Sequence, residues 1–308
     1  MARRRKGKAI SGWLIVDKPS GPTSNDVVGR IRRLYQAQKV GHGGTLDPMA
    51  TGVLPIALGE ATKTVPYVME RPKSYQFTVR WGEATNTDDA EGEVIETSPA
   101  RPAEPAIRQA LAAFVGEIEQ VPPTYSAIKI EGARAYDLAR RDQAVELAPR
   151  TVFVERFELL AIEGPDQATF LVDCGKGTYM RALARDLGQA LGCLGHVVAL
   201  RRTAAGGFTE ADAISLDRLE GLGHSPAALE QLLPVEAGLD DIPALDLTEM
   251  EASRLRSGQG VSMLARAKRE RALSLEQGGL AYAVAAGRPV AIVRYEAGEL
   301  RPIRVLNL

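Results

Sequence analysis

The sequence predicts an α+β fold, in which helices flank a mixed or antiparallel sheet and a small β-rich module follows at the carboxyl end. Segments with strand and helix periodicity alternate without the regular βαβ spacing of a doubly wound sheet. Two long strand segments, at residues 151–162 and 168–174, meet near Gly164-Pro165 and predict an antiparallel hairpin. Short β segments occupy the tail. We therefore place a domain boundary near residue 240.

Local signals predict the elements of the first half in turn. Residues 13–16 form an apolar strand, and Thr23 or Ser24 can cap a helix whose apolar face carries Val27 and Ile31. The segments that follow are a buried strand at 52–58, a helix at 60–69 interrupted near Pro66, an alternating strand at 74–81, an acidic turn region at 82–92 and an amphipathic helix at 106–115.

The second half is predicted in the same way. Its elements are a strand at 126–130, a short helix at 134–141, the hairpin, a helix at 179–191, a strand at 197–202, acidic helices at 210–234, a tail helix at 248–256 and tail strands at 281–285, 290–295 and 301–305. These elements predict a basic disordered arm (1–10), a main domain (11–240) and the β-rich module (241–308).

Composition excludes several classes of protein. At 308 residues, with 45% hydrophobic and 25% charged residues, the chain is typical of a globular protein. No apolar run is long enough to cross a bilayer, and the basic amino terminus is not followed by a secretory apolar core, so a cytoplasmic location is expected. Two cysteines and three histidines show none of the paired spacings of a zinc site, and we expect no metal.

The net charge of −1 conceals an uneven distribution. Residues 1–80 carry 14 Lys and Arg against 5 Asp and Glu, a balance of +9, whereas residues 210–251 carry 11 acids against Arg218 alone, a balance of −10. Both regions can be ordinary solvated faces. The alternative is that the basic amino-terminal half faces a polyanion such as nucleic acid.

The segment Gly41–Pro48, GHGGTLDP, places the carboxylate of Asp47 on a glycine-rich turn. Glycines allow a close approach to a ligand, and Pro48 restrains Asp47 to an extended conformation, so the side chain can be held forward at a fixed angle. An aspartate anion can attack an electrophilic carbon. Asp47 is thus a candidate nucleophile, although an ordinary Asx-Pro turn has the same sequence.

Three other side chains are candidates for this site. Arg181 follows a glycine bend in KGTYMR and could hold the carboxylate in a bidentate fork, or be a surface arginine on an amphipathic helix. Tyr75 could stack on an extruded base and exchange a proton, or pack in the core. Lys18 could line the cleft, but we favour a structural role at a strand end.

Six segments, in their order along the chain, resemble motifs of the TruB family of bacterial tRNA pseudouridine(55) synthases. They are VDKPSG (16–21), GHGGTLDPMATG (41–52), PPTYSAIK (122–129), GARAY (132–136), KGTYMR (176–181) and LRRT (200–203). The tail is similar, more weakly, to a PUA-like RNA-binding module. The resemblance implies a pseudouridine synthase-like main domain. The chain departs from it at Gly43, where the family usually has threonine.

The resemblance also implies roles for individual residues. Asp47 corresponds to the catalytic aspartate, Arg181 to the arginine paired with it, and Tyr75 to the tyrosine that stacks on the target uracil. Residues implied at the substrate are His42, Lys18, Tyr179 and Leu200. Because the target base lies inside a folded T-loop, it must be extruded, and candidate phosphate contacts are Arg30, Arg32, Arg33, Arg201 and Arg202.

The implied reaction is an isomerisation of one uridine in the T-arm of tRNA, at position 55. The N1–C1′ bond breaks, the uracil rotates while held, and a C5–C1′ bond replaces it. Asp47 would form an ester at C1′, abstract a sugar proton to give a glycal, or add to uracil C6. Because nothing is oxidised and no group is imported, no cofactor is expected. No obligate protein partner is evident from the sequence.

Two functions from other classes remain open at this point. A non-catalytic RNA-binding or tRNA-folding protein would share the basic surface without the chemistry. A glycoside hydrolase could also use an aspartate on a sugar carbon, but such enzymes ordinarily need two carboxylates a few ångströms apart. The turn near Asp47 supplies only one, although Asp88, Asp89 and Glu91 could approach it in the fold.

Overall fold

The computed structural model describes residues 7–125, 129–130, 133–134, 147–264 and 275–308. The strands within them are β1 (Gly12–Lys18), β2 (Val40–His42), β3 (Thr51–Leu58), β4 (Lys73–Trp81), β5 (Glu83–Thr85), β6 (Val94–Thr97), β7 (Gly116–Gln120), β8 (Lys129–Ile130), β9 (Ala133–Arg134), β10 (Arg150–Ile162), β11 (Gln167–Cys174), β12 (Gly195–Ala205), β13 (Phe208–Thr209), β14 (Ile214–Ser215), β15 (Ala244–Asp246), β16 (Val261–Ser262), β17 (Leu280–Ala285), β18 (Arg288–Glu296) and β19 (Glu299–Val305).

Helices account for much of the remaining described chain. They are α1 (Ser24–Tyr35), α2 (Val65–Glu70), α3 (Glu104–Leu111), α4 (Met180–Ala190), α5 (Leu216–Leu222), α6 (Pro226–Leu229) and α7 (Glu249–Arg256). Short 3-10 helices lie at Gly59–Lys63, Ala112–Phe114, Glu210–Asp212 and Val235–Gly238.

A ten-stranded mixed sheet forms the centre of the larger part of the chain. Its main order is β14-β1-β3-β12-β4-β11-β10-β7, with β2 added beside β3 and β13 beside β12. The β1–β14 and β3–β12 pairs are parallel, whereas the other pairs are antiparallel. The predicted mixed sheet and the β10–β11 hairpin are therefore confirmed.

Apolar residues cover both faces of this sheet near its centre. In β1, Leu14 and Val16 belong to the cluster on the side of α1 and α4, whereas Trp13 and Ile15 belong to the cluster on the other side. Since neighbouring strand residues point to opposite faces, a strand buried on both faces must be apolar throughout. This explains the uninterrupted apolar run at the start of β1.

Helix α1 begins at a capping residue that the sequence predicts, Thr23. Thr23 and Asp26 form a capping box, in which the Thr23 side chain accepts from the Asp26 N–H and the Asp26 carboxylate accepts from the Thr23 N–H. The helix ends at Tyr35, and the next residue, Gln36, has a left-handed φ of 51°. Val27 and Ile31 face the core, as the spacing predicts.

The carboxyl-terminal strands form a second sheet with a core of its own. Its order is β15-β17-β18-β19-β16, and helix α7 lies against it. The cluster of buried residues there includes Leu255, Val261 and Val293. A separate sheet with a separate core supports the boundary near residue 240, which stays a proposal.

Three sequence predictions need correction or fall outside the described residues. Residues 7–10 belong to no disordered arm, because the Lys8 N–H donates to Gln36 O and Lys8 O accepts from Gln38 N–H; residues 1–6 lie outside the description. The predicted 126–130 strand is described only at β8. Of the predicted 134–141 helix, only Arg134 is described, and it lies in β9. Strand β7 was not predicted, because its sequence GEIEQ carries a single large apolar residue.

Candidate active site

The loop between β2 and β3 carries Asp47, and Lys18 stabilises it by hydrogen bonds to its main chain. This lysine is fully buried, and its ammonium donates to three main-chain carbonyl oxygens, among them those of Pro48 at 3.0 Å and Ala50 at 2.7 Å. All three N–H bonds of the ammonium are thereby used. The implied substrate contact of Lys18 is wrong for this reason, and the structural role is the correct one.

Arg202 holds the same loop from the other side. Its guanidinium donates to the carbonyl oxygens of Gly44 at 3.1 Å, Thr45 at 3.3 Å and Val53 at 2.8 Å. The residue is 1% exposed. Arg202 therefore cannot contact a phosphate on the surface, and that prediction is wrong. In the sequence Arg202 resembles an RNA contact, but in the structure it is buried and supports the loop.

Arg181 reaches the loop from the first turn of α4. The side-chain amide of Gln120 fixes the start of that helix, accepting from the Tyr179 N–H at 2.8 Å and donating to Tyr179 O at 3.1 Å. The preceding bend needs Gly177, whose φ is +85°, a value that side chains with a Cβ rarely adopt. The bend and the amide together aim Arg181 into the molecule.

The Arg181 guanidinium forms ion pairs with two carboxylates at once. Its Nε lies 3.0 Å from Asp47 Oδ2, and its Nη1 lies 3.3 Å from Asp89 Oδ2. It also donates to Thr87 O at 2.9 Å and Tyr125 O at 2.8 Å. The arginine side chain is 5% exposed, whereas that of Asp47 is 34% exposed. Of the two partners, Asp47 is the carboxylate that remains accessible.

Burial raises the pKa of the Asp47 carboxyl above its ordinary value. Arg181 and Lys18 act in the opposite direction, and the charge of Asp89 adds to the rise. About a third of the Asp47 side chain is exposed, and the residue lines an open cavity. Arg181 is therefore the main group that favours the reactive anion.

A cavity of about 270 Å³ lies directly in front of Asp47. Its walls are Gly44, Thr45, Leu46, Asp47, Met69, Lys73, Tyr75, Gly175, Lys176, Gly177, Thr178, Tyr179, Met180, Arg181, Leu200 and Arg202. Segments from the loop, β4, β12 and the start of α4 thus converge on one space. Five residues predicted as catalytic or substrate-binding meet there: Asp47, Tyr75, Tyr179, Arg181 and Leu200.

Tyr75 and Leu200 come together through the register of neighbouring strands. Phe77 of β4 pairs with Leu200 of β12, and Tyr75 lies two residues before Phe77 on the same face. Burial raises the pKa of the Tyr75 phenol, while the Arg202 guanidinium lowers it. The phenol is thus protonated at neutral pH, which favours stacking over a role as proton acceptor.

His42 and Gly43 lie just outside the cavity. His42 is half-buried at the end of β2, and the cavity lining begins two residues later at Gly44. A Cβ at Gly43 would meet Val68 Cγ1 at 3.3 Å and Pro55 Cβ at 3.4 Å. The position is therefore tightly packed, and glycine suits it without affecting the carboxylate of Asp47.

Sequence reasoning named Asp89 only as a possible second carboxylate for sugar hydrolysis. The structure buries it at 3% exposure, and its Oδ1 accepts from Thr87 Oγ1 at 2.6 Å and from the Glu91 N–H at 3.0 Å. A carboxylate enclosed in this way cannot serve a substrate as acid or base. Asp89 instead helps to orient Arg181, a role that the acidic turn alone did not reveal.

The other four candidate phosphate contacts are surface arginines, and they differ in whether an acidic side chain pairs with them. Arg30 pairs with Glu220 at 3.5 Å, and Arg201 pairs with both Asp17 and Glu210. Arg32 donates to Val40 O at 3.3 Å, and Arg33 is exposed on the same helix. Among the described residues, no acidic partner is recorded for Arg32 or Arg33, and so these two are the best placed to meet an anion.

Two further features concern metals and membranes. Within the described ranges, no group of three His, Cys, Asp or Glu side chains could hold a metal ion. None of the helices in the described part of the chain combines the length and apolar character needed to span a bilayer.

Sequence comparisons identify close relatives of the chain. The family model TruB family pseudouridylate synthase (N terminal domain) matches residues 32–180, and the model tRNA pseudouridylate synthase B C-terminal domain matches residues 181–240. A Rhodospirillum rubrum protein named tRNA pseudouridine synthase B is 58% identical over 308 residues, covering 100% of both chains. A protein of the same name from Caulobacter vibrioides is 51% identical over 311 residues, again covering 100% of both.

Solved structures share the fold. A chain of a Cbf5-Nop10-Gar1 complex is 27% identical with a TM-score of 0.71, and the match covers 96% of this chain and 85% of that one. A chain of an H/ACA RNP bound to a substrate RNA containing 2′-deoxyuridine has a TM-score of 0.74 at 24% identity, covering 100% of this chain and 92% of that one. The predicted fold class agrees with both.

Proposed function

The chain belongs to the TruB family of pseudouridylate synthases, and from that premise we propose that it converts the uridine at position 55 of the tRNA T-loop into pseudouridine. The activity itself, isomerisation of uridine to pseudouridine in tRNA, follows from relatives of that name that match its whole length. The choice of position, the site residues and their roles are our proposal. The observation that carries it is the Asp47–Arg181 ion pair at the wall of a cavity lined by Tyr75.

The geometry supports Asp47 as the group that acts on the ribose. Its carboxylate is partly accessible, faces the cavity and has a cation within 3.0 Å that favours the anion. In one route the carboxylate forms an ester at C1′ as the N1–C1′ bond breaks; in another it removes a sugar proton and a glycal forms. In both routes the uracil departs with the bonding electron pair and later bonds through C5, which loses its proton.

The size and lining of the cavity support a flipped base as its occupant. A base within a folded loop is stacked, and extruding it costs a few kcal/mol, which stacking on an aromatic side chain and phosphate contacts can offset. Tyr75 offers the ring and Leu200 an apolar opposing surface. The chemistry needs no cofactor, because the product is an isomer of the substrate.

The proposal also covers the domains of the chain, its location and its need for protein partners. Residues 11–240 would form the catalytic domain and residues 241–308 a small PUA-like RNA-binding domain; the separate sheet and core of the latter support this division. A tRNA substrate suits a cytoplasmic location. The matched chain of 27% identity comes from a Cbf5-Nop10-Gar1 complex. For this chain we propose activity without an obligate protein partner.

Incubating the purified chain alone with an unmodified tRNA transcript tests the proposal. We expect one pseudouridine per transcript, mapped to position 55 by sequencing of the modified nucleoside. A transcript with cytidine at that position is the control and should yield no pseudouridine. Pseudouridine elsewhere would refute the choice of position. Release of free uracil would favour a glycoside hydrolase, and tRNA binding without product a non-catalytic binder.

Binding of tRNA is expected to weaken steeply with salt. If Arg30, Arg32, Arg33 and Arg201 each neutralise a phosphate, affinity should fall about 10²-fold between about 50 and 200 mM salt, because each contact releases a bound counterion. Fluorescence titration at several salt concentrations measures the slope. Arg33→Gln should reduce the slope by about one contact.

A matched control comes from another helix. Arg108 of α3 is exposed and pairs with Glu104 at 2.7 Å, and Arg108→Gln should leave the slope unchanged. An affinity that stays flat over the same salt range would contradict a phosphate-binding surface.

A further inference from the structure

Lys73 is a charged side chain in the cavity wall that the reaction described above leaves without a role. It lies on β4 two residues before Tyr75, and the two side chains therefore share one face of the sheet. The residue is 7% exposed, yet it lines the cavity together with Tyr75 and Leu200. A buried ammonium is costly to desolvate and is seldom found where an apolar residue would serve.

The position of the Lys73 ammonium is fixed by the end of α2. Its Nζ donates hydrogen bonds to the carbonyl oxygens of Met69 and Arg71, which use two of its three N–H bonds. No acceptor for the third is recorded among the described residues. Met69 also lines the cavity, so the ammonium lies where the helix end meets the cavity wall.

The charge of Lys73 is poorly compensated by its neighbours. The pKa of Lys73 is lowered to about 8, chiefly by burial and also by Arg202 of β12 and Lys176 of the rim, and only Cys174 of β11 and Glu70 of α2 act in the opposite direction. Cys174 is a protonated thiol, because burial raises its pKa to about 11, and the exposed Glu70 carboxylate already pairs with Lys176. The wall beside Tyr75 is thus cationic at neutral pH.

The proposed reaction generates an anion at this place. When the N1–C1′ bond breaks, both electrons leave with the uracil, whose negative charge spreads over N1 and the carbonyl oxygens. The positive charge left at C1′ of the ribose is neutralised by the Asp47 carboxylate. This carboxylate either forms an ester bond to C1′ or removes a proton from the sugar. A preorganised cation beside the base would stabilise this charge as it develops.

We propose that Lys73 binds the detached uracil anion, donating its third N–H to a carbonyl oxygen of the base while Tyr75 holds the ring. This inference rests on the proposed function and adds a catalytic residue to it. Asp47 with Arg181 then serves the ribose, and Lys73 serves the leaving base. In the return step the same contact restrains the uracil while it turns to present C5.

Substrates with a better leaving base test this assignment. We compare single-turnover rates of loss of the starting nucleoside for tRNA with uridine or 5-fluorouridine at the target position, at about pH 6.5, where Lys73 is charged. Fluorine withdraws electrons and makes the departing base less dependent on a cation. In Lys73→Met we expect the uridine rate to fall by about 10²-fold and the fluorouridine rate by much less.

Lys63→Met is the matched control. Lys63 is also a partly buried lysine that donates to a main-chain carbonyl oxygen, that of Val305 at 2.7 Å, but it lies outside the cavity lining, so its loss should leave the ratio of the two rates as in the wild type. If Lys73→Met slows both substrates equally, or changes only KM, then Lys73 merely caps α2 and the inference is wrong.

A second variant, Lys73→Arg, tests the inference even if Lys73→Met does not fold. Lys73→Arg keeps a charge that does not titrate below about pH 12, so the decline in uridine rate expected above about pH 8 in the wild type should disappear. A decline that persists in Lys73→Arg overturns the inference. An inactive wild type would refute the proposed function and this inference together, whereas an unchanged rate ratio refutes only the latter.

Discussion

Replacing Asp47 with asparagine is expected to abolish pseudouridine formation, by at least about 10⁴-fold, while tRNA binding persists. Asparagine has nearly the same shape, but its amide neither attacks C1′ nor removes a sugar proton. Release of tritium from C5 of labelled uridine measures the reaction, and fluorescence titration measures binding. Because burial disfavours the charged carboxylate, the neutral amide should not lower Tm.

The neighbouring acidic turn supplies a matched control for this variant. Asp88 also pairs with an arginine of α4, Arg185, at 2.9 Å, but it lies outside the cavity lining. Asp88→Asn should therefore retain activity close to that of the wild type. Pseudouridine formation by Asp47→Asn within tenfold of the wild-type rate would exclude Asp47 as the nucleophile or base.

Replacing Arg181 with methionine is expected to have the second largest effect. The change leaves Asp47 and the buried Asp89 without the cation that they share, and we expect activity to fall by about 10³-fold. The free energy of unfolding should also fall, by about 3–5 kcal/mol, because a buried charge loses its partner. Kinetics at saturating tRNA and chemical denaturation measure the two effects separately.

The pH dependence of the Arg181 variant has a definite sign. Arg181 lowers the pKa of Asp47, so its removal raises that pKa further. Since the anion is the reactive form, the acidic fall in rate should move to higher pH, and raising the pH should restore part of the lost activity. A residual rate with the same acidic limb as the wild type would contradict the proposed role of the ion pair.

Arg185→Met provides the comparison one turn later on α4. Arg185 forms ion pairs with Asp88 and Asp186, each at 2.9 Å, and its side chain is 22% exposed. Its loss should reduce stability without moving the acidic limb. The two variants therefore separate the loss of a buried arginine from the loss of the cation that faces Asp47.

Local sequence was sufficient where the structure depends on neighbouring residues. The Thr23 cap of α1, the β10–β11 hairpin and the glycine bend before Arg181 all follow from chemistry within a few positions of the chain. The Asp47 turn was also recognisable, because glycines and a proline constrain the backbone locally. Strand β7 was missed, since polar residues dominate it and its pairing with β10 decides its conformation.

Basic residues were the group that sequence assigned least well. Lys18, Lys73, Arg201 and Arg202 look equivalent in the chain. In the structure Lys18 and Arg202 are buried supports of the loop, Lys73 lines the cavity, as Arg202 also does, and Arg201 is a paired surface residue. A cation does not reveal its partner in the sequence. Main-chain carbonyl groups, which hold Lys18 and Arg202, exist at every position and leave no pattern.

The sequence by itself determined the α+β class, most elements of the sheet and the aspartate on its constrained turn, because short-range backbone preferences and apolar periodicity fix these features. Only the tertiary structure decided that Arg181 pairs with Asp47 and Asp89 together, and that Arg202 supports a loop 158 residues away in the chain. Burial and the choice of ionic partner depend on segments distant in sequence, and these meet only when the sheet has formed.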